Sequence, residues 1–305
     1  LSLVKFSHTI FAMPFALIGF FLAASGYIKS WIGGVFRDYR PSSWAVYYED
    51  GRKLNPLWLT FILIILCMVF ARSAAMAFNR YLDRAFDAKN PRTAIREIPK
   101  GIISAGSALR FVIFNCIAFV VCTWFINPLC FFLSPVALLV VLGYSYTKRF
   151  TAFCHIILGI GLSLAPIGAY LAVTGQFALL PILFSFAVVF WVSGFDIIYA
   201  LQDIDFDKSQ QLYSIPAALG KAKALKVSEL LHLLSAACVV AAGWYGGFHW
   251  WYWIGVAVFI GMLVYQHSIV KPNDLTRVNI AFMTANGIAS VVFAVFVIAD
   301  LFFHS

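Results

Sequence analysis

Charge is scarce in this sequence. Charged residues make up 11% of its 305 positions, and only 13 residues are acidic. An average soluble protein carries about 25% charged residues. So little charge excludes a soluble enzyme and a disordered chain alike. The six cysteines show no paired or metal-like spacing, which excludes a disulfide framework or a structural zinc site and leaves them as small apolar residues within helices. Ten-residue alternations of apolar and polar residues are missing too, which excludes a membrane β-barrel. What is abundant is apolar surface: 62% of the residues are hydrophobic, including 31 phenylalanines and nine tryptophans. The chain reads as an all-α polytopic membrane protein.

A crossing helix needs about 20 residues, and nine crossings fit the length. The apolar segments fall at 9–28, 57–79, 109–126, 129–147, 153–173, 178–201, 225–245, 250–268 and 279–302. Pro135 interrupts the fourth, and Pro166 and Pro181 are expected to kink or begin theirs. The gaps at 127–128 and 174–177 leave room only for tight turns between antiparallel neighbours. No cleavage signal follows the first span, so it is expected to remain. The whole of 1–305 reads as one domain, with residues 29–56 as an inserted outer loop rich in Trp and Tyr.

The polar connections are unequal in charge. Residues 80–108 contain Arg80, Arg84, Lys89, Arg92, Arg96 and Lys100. Other connections on that side carry Lys148 and Arg149, then Lys208, Lys221 and Lys223, then Lys271 and Arg277. The positive-inside rule puts this set and the N-terminus in the cytoplasm and the C-terminus outside. Loop 29–56, also basic, resists the scheme and is outvoted. The net charge of +9 then needs no nucleic acid: cytoplasmic loops and an anionic substrate account for it.

Six of the 13 acids lie in two short segments on the same expected side. The first has Asn79, Asp83 and Asp87 at i, i+4, i+8. The second has Asp196, Tyr199, Asp203 and Asp207 at i, i+3, i+7, i+11. Each spacing lines one helical face. Like charges so placed repel, the more so in low dielectric. Bound Mg²⁺ removes the conflict, because it takes hard oxygen ligands, usually one or two carboxylates plus substrate phosphates and water. Asp196 falls inside an apolar span, where a carboxylate is expensive and usually functional. The alternative is that these are solvated helix ends whose acids pair with Arg80, Arg84 and Lys208. Arg72 lies two turns before Asn79 inside a span, Arg96 follows Asn90-Pro91, and Lys148 ends the fourth span one turn after Tyr144. Arg and Lys so placed are suited to phosphate oxygens. Together these residues suggest a site for a diphosphate carried on an apolar chain.

With those two motifs in view, the chain resembles the UbiA superfamily of intramembrane aromatic prenyltransferases over nearly its whole length. Asn79-x-x-x-Asp83-x-x-x-Asp87 followed by Asn90-Pro91-Arg92-Thr93 looks like the family's first aspartate-rich motif, and Asp196-x-x-Tyr199-Ala200-x-x-Asp203-x-x-x-Asp207 like its second. Arg80 stands where an aspartate often follows the first Asn. The resemblance implies nine helices around a central cavity, a cytoplasmic cap, and prenyl transfer from a polyprenyl diphosphate to an aromatic acceptor. Under it, Asp83, Asp87, Asp203 and Asp207 hold Mg²⁺ and diphosphate with Asn79 assisting; Arg72, Lys148 and Arg96 grip phosphate oxygens; and Asp196 and Tyr199 lie near the reacting carbon. The second motif and Tyr213-Ser214-Ile215-Pro216 resemble the branch acting on 4-hydroxybenzoate, some of whose members are associated with 1,4-dihydroxy-6-naphthoate. That implies a bacterial inner-membrane enzyme of ubiquinone or menaquinone synthesis, with membrane lipids around it and no obligate protein partner. His8, at the start of the first span, reads either as a ligand of the acceptor carboxylate or as an interface residue. Two other readings stay open: a related transferase acting on haem, chlorin or lipid, and a transporter of an anionic lipid or metabolite.

Overall fold

The structure is a computed structural model in which residues 11–32 and 55–303 are described. His8 and most of loop 29–56 lie outside the described residues. Every regular element among those described is a helix: α1 Met13–Ile32, α2 Leu57–Leu82, α3 Arg84–Lys89, α4 Ala105–Ile126, α5 Pro128–Thr147, α6 Cys154–Thr174, α7 Leu179–Ala200, α8 Ile204–Ser209, α9 Ile215–Tyr245, α10 Trp250–Ile269 and α11 Asn286–Phe303. A 3₁₀ turn, Leu201–Asp203, joins α7 to α8, and a π-helix, Ile280–Ala285, leads into α11. Eight of the described helical segments are long and apolar enough to cross a membrane, and Met13–Gly26 is a shorter apolar stretch.

Local chemistry sets the ends. Asn127 caps α5: its Oδ1 accepts from the Cys130 amide at 2.8 Å with Pro128 at the first helical position, while its Nδ2 donates to the Leu171 carbonyl of α6 at 2.9 Å. α6 closes on Gly175 at φ +64°, which lets the tight turn into α7 form. Pro135 and Pro166 are carried within α5 and α6, and Pro181 lies in the first turn of α7. At the Pro166 carbonyl α1 packs tightly against α6. A Cβ on Gly19 would lie 2.1 Å from that oxygen, so only glycine fits there. The start of the seventh span differs from the expectation: α9 begins at Ile215, ten residues before its apolar run, with Ser214 as cap and a break at Gly220, φ +78°. Lys221, Lys223 and Lys226 hid those polar turns from a hydropathy reading.

The two sides of the bundle are packed differently. α1, α7, α9, α10 and α11 enclose an aromatic core built on Phe15, Trp191, Tyr252, Phe259 and Phe293, all fully buried. On the other side, α5 buries only Ser134, Ser145 and Thr147. There α2, α4, α5 and α6 stand around an open interior instead of filling it. The solid side is held by Asn286. Its Nδ2 donates to the carbonyls of Ala281 and Phe282, which belong to the π-helix, and its Oδ1 accepts from Trp191 Nε1 and Gln266 Nε2, both at 2.8 Å. One amide thus ties α7 and α10 to a helix whose ladder is locally out of step.

Asn286→Leu strands two buried donors and two carbonyls. It is expected to destabilise the protein by about 1–3 kcal/mol, read as a lower thermal midpoint in detergent. An unchanged midpoint would remove Asn286 from the scaffold.

Candidate active site

Both aspartate-rich segments sit at one end of the bundle, and neither follows a continuous α-helix. α2 stops at Leu82 and α3 starts at Arg84, so Asp83 is the joint. α7 stops at Ala200, and Asp203 joins the 3₁₀ turn to α8. The joints have nearly the same backbone, φ −86°, ψ 5° at Asp83 and φ −104°, ψ 6° at Asp203. This is the bridge region, sparsely populated and frequent at active sites. The expectation of one unbroken helical face is therefore corrected: each stripe is bent at its middle carboxylate. The bend needs only three residues, too few for the i, i+4 spacing to show it.

Four carboxylates and four cations meet here. Arg96 Nη1 lies 2.9 and 2.8 Å from the two oxygens of Asp87, which is buried. Arg92 clasps Asp203 through Nε at 3.1 Å and Nη2 at 2.7 Å, and donates from Nη1 to the Tyr199 hydroxyl at 3.0 Å. Lys148 Nζ is 2.7 Å from Asp207, whose side chain is 0% exposed and also accepts from Ser214 Oγ at 2.9 Å. Arg149 reaches Asp83 at 3.4 Å and the Leu82 carbonyl at 2.9 Å, while Asn79 Nδ2 donates to Asp83 at 3.0 Å. The cations come from the 90–103 segment and from the α5–α6 connection, not from Arg80, Arg84 or Lys208. Arg80 pairs with Glu97, and Arg84 donates to the Tyr81 carbonyl at 2.6 Å.

The electrostatics match the geometry. Burial pushes the Asp83 carboxyl above the usual carboxylate range, the Asp87 charge adds to this, and Arg149 and Lys148 oppose it. Burial disfavours the charged forms of Arg92 and Lys148, yet both are held above their ordinary values because Asp203 and Asp207 stand beside them. Arg92 and Lys148 thus keep their protons because each has a carboxylate to neutralise.

A polar cavity of about 240 Å³ runs between the two segments, lined by Asn79, Asp83, Asp87, Lys148, Asp196 and Asp203. Arg92, Arg96, Tyr144, Asp196 and Tyr199 line this cavity and also the much larger apolar one below it, of about 750 Å³. The larger cavity passes down between α2, α4, α5 and α6 to Thr123, Cys130 and Phe177. Tyr199 is stacked on Phe282 of the π-helix, ring centres 4.2 Å apart. The site is thus a polar head above an apolar shaft, with Asp196 and Tyr199 at the neck.

Most residues singled out in the sequence converge here. Asn79, Asp83, Asp87, Arg96, Tyr144, Lys148, Asp196, Tyr199 and Asp203 line the polar cavity, and Asp207 is reached through Lys148. Arg72 lines only the shaft, seven residues below Asn79, about 10 Å along a helix. It makes no ion pair among the described residues, and its Nε is buried without a partner. Arg92, which the sequence pairs with Arg96 after Asn90-Pro91 as suited to phosphate, and Arg149, which ends the fourth span beside Lys148, also line the polar cavity; what the sequence does not show is that the partner of Arg92 is Asp203, 111 positions away. His155 was missed altogether. It is buried at 3% exposure, with Nδ1 2.7 Å from Asp196 Oδ2.

The donor set suits Mg²⁺. Among the described residues no three His, Cys, Asp or Glu side chains are grouped to hold an ion by themselves. Mg²⁺ does not ask for that: one or two carboxylates are enough when phosphates and water supply the rest. Asp83 and Asp87 on one wall and Asp203 on the other fit that pattern, with Asp207 buried behind Lys148 next to them.

Comparison with known proteins agrees. The profile of the UbiA prenyltransferase family matches residues 40–288. A 4-hydroxybenzoate octaprenyltransferase of Tolumonas auensis is 28% identical over 276 residues, covering 83% of this chain and 96% of that protein. The apo structure of a UbiA homologue from Aeropyrum pernix is similar at a TM-score of 0.79 and 28% identity, over 97% of this chain and 99% of that one. A UbiA homologue from Archaeoglobus fulgidus, bound to GPP and Mg²⁺, shares the fold at a TM-score of 0.63 and 19% identity, over 97% of this chain and 99% of that one. With the two aspartate segments, the shaft beneath them and a match over most of its length, the chain belongs to the UbiA prenyltransferase family.

Proposed function

We propose that the protein transfers a polyprenyl group from its diphosphate to a ring carbon of a small aromatic carboxylate, 4-hydroxybenzoate or 1,4-dihydroxy-6-naphthoate, in quinone biosynthesis. The observation that carries this reading is the pairing of a carboxylate-walled polar cavity with an apolar shaft of about 750 Å³ beneath it. A substrate with a diphosphate head and a hydrocarbon tail has that shape. The names of the curated relatives support the acceptor class. The relative bound to GPP and Mg²⁺ supports the donor and the metal.

In this reading Asp83, Asp87, Asp203 and Asp207 would hold Mg²⁺, whose charge would offset that of the diphosphate leaving group. Arg92, Arg96, Lys148 and Arg149 exchange their carboxylate partners for phosphate oxygens. They meet the charge that develops as the allylic C–O bond breaks and its electrons pass to the diphosphate. The 90–103 segment, which supplies two of these arginines, is the cap over the head. The shaft keeps water from the allylic cation. The Tyr199 ring is stacked on Phe282 and has the Arg92 guanidinium over it, 5.4 Å from its centre; once Arg92 turns to phosphate, that π face is open to the cation. The depth of Arg72 moves it away from the diphosphate expected from sequence and toward the acceptor, whose carboxylate would fill its missing ion pair. Asp196, at the neck, receives the ring proton. The positive-inside pattern places the head at the cytoplasmic face of a bacterial inner membrane.

Two outcomes test the assignment. Asp83→Asn and Asp203→Asn, each still folded by gel filtration, should lower Mg²⁺-dependent turnover by at least about 10²-fold; wild-type turnover with unchanged Mg²⁺ dependence removes that residue from the metal site. Arg72→Lys keeps the charge and loses the planar fork. It should raise the KM for the aromatic acid more than the KM for the prenyl diphosphate, and the opposite order returns Arg72 to the diphosphate. An acceptor screen in which only haem, chlorin or lipid is prenylated would replace the aromatic reading.

A further inference from the structure

His155 has no place in the reaction as described, and its surroundings give it one. It is the second residue of α6, in a span otherwise built of apolar and small residues. A neutral polar group buried without partners costs about 1–3 kcal/mol, and this side chain is 3% exposed. Its Nδ1 lies 2.7 Å from Asp196 Oδ2. An ionised carboxylate only accepts, so Nδ1 carries the hydrogen. Its Nε2 is buried and unpartnered, so the ring's one close polar contact across helices is with Asp196.

The placement is built into the helix contact. One turn beyond His155, a Cβ on Gly159 would fall 2.5 Å from both Ser193 Oγ and the Val189 carbonyl of α7. Ser193 Oγ donates to the Val189 carbonyl at 2.6 Å and lies 3.1 Å from the His155 carbonyl. This clamp between α6 and α7 lies three residues before Asp196 and fixes the imidazole opposite the carboxylate. Asp196 is 24% exposed and lines both cavities. Its Oδ2 is taken by His155, and its Oδ1 accepts no hydrogen bond among the described residues. One oxygen is anchored and the other is presented to the neck.

Resting on the proposed prenyl transfer, we infer that His155 is the positioning residue that aims Asp196 Oδ1 at the ring proton of the acceptor. When the prenyl carbon bonds to the ring, that ring carbon carries both the prenyl group and its hydrogen. The C–H bond breaks, its electron pair returns to the ring, and the proton goes to Asp196 Oδ1. Oδ2 meanwhile keeps the Nδ1–H bond, so the carboxyl does not rotate, and the proton passes to water when product leaves. His155 touches no substrate. Its effect is geometric, and misplacing a reacting group by about 1 Å can cost 10²-fold in rate.

The test uses the full chain in nanodiscs with Mg²⁺, a prenyl diphosphate and 4-hydroxybenzoate or 1,4-dihydroxy-6-naphthoate, each with ring hydrogen or ring deuterium. His155→Leu should lower kcat by about 10²-fold, leave the KM for prenyl diphosphate unchanged, and reveal a primary deuterium isotope effect larger than that of the wild type, because proton removal becomes limiting. His155→Asn, whose amide falls near the Nδ1 position, should recover most of kcat; His155→Gln, whose amide falls near Nε2, should not. If His155→Leu does not fold, the Asn and Gln variants decide alone. Equal turnover and equal isotope effects in Asn, Gln and wild type overturn the inference while leaving the prenyl transfer intact. A wild type that prenylates neither acid overturns both.

Discussion

The structure depends on how four carboxylates are neutralised at the edge of an apolar bundle. Asp83, Asp87 and Asp203 line a cavity of about 240 Å³, with Asp207 buried behind Lys148, and uncompensated charges there would repel strongly in a medium poorer in water than a surface. Each therefore has a cation: Arg149, Arg96, Arg92 and Lys148 in turn. These pairs are exchangeable by their chemistry. A divalent ion can take over a carboxylate, and the freed guanidinium or ammonium can then take a phosphate oxygen. The same side chains that hold the unliganded head together are those a diphosphate and its metal require. Arg92 shows this most directly, since it bridges the first aspartate segment to Asp203 and Tyr199 of the second.

Beneath the head, the division of the bundle into a filled and an unfilled side provides the second substrate requirement. The aromatic packing of α1, α7, α10 and α11 makes a rigid wall, and the Asn286 network holds the π-helix that stacks Phe282 on Tyr199. The opposite helices contribute small and aliphatic residues to a shaft long enough to take a hydrocarbon tail. The proposed reaction would thus be divided by depth: charge exchange at the head, the cation and its acceptor at the neck, and the tail below.

Much of this was legible in the sequence. The spans followed from apolar runs because a bilayer admits few alternatives. The carboxylates followed from their spacing because acids are so rare that two clusters stand out. Proximity between distant segments was not legible. Arg92 with Asp203 and His155 with Asp196 are contacts across 111 and 41 positions, set by helix packing that no local pattern encodes. The joints at Asp83 and Asp203 were invisible for the opposite reason, being too short to disturb the period. Arg72 was legible as a buried cation on the Asn79 face, but not its depth in the shaft: a helical face says which way a residue points and not which part of a long substrate it meets.

The central claim is that carboxylate–cation pairs give way together to Mg²⁺ and diphosphate. The direct measurement is the affinity of the purified wild-type chain for a non-ionising prenyl diphosphate analogue, titrated across Mg²⁺ concentrations, with the reciprocal titration of Mg²⁺ at fixed analogue. Linkage requires each ligand to strengthen the other by the same factor. The account predicts a coupling of at least about tenfold, or 1.4 kcal/mol, in both directions. Analogue binding that is equally tight with and without Mg²⁺ would contradict it.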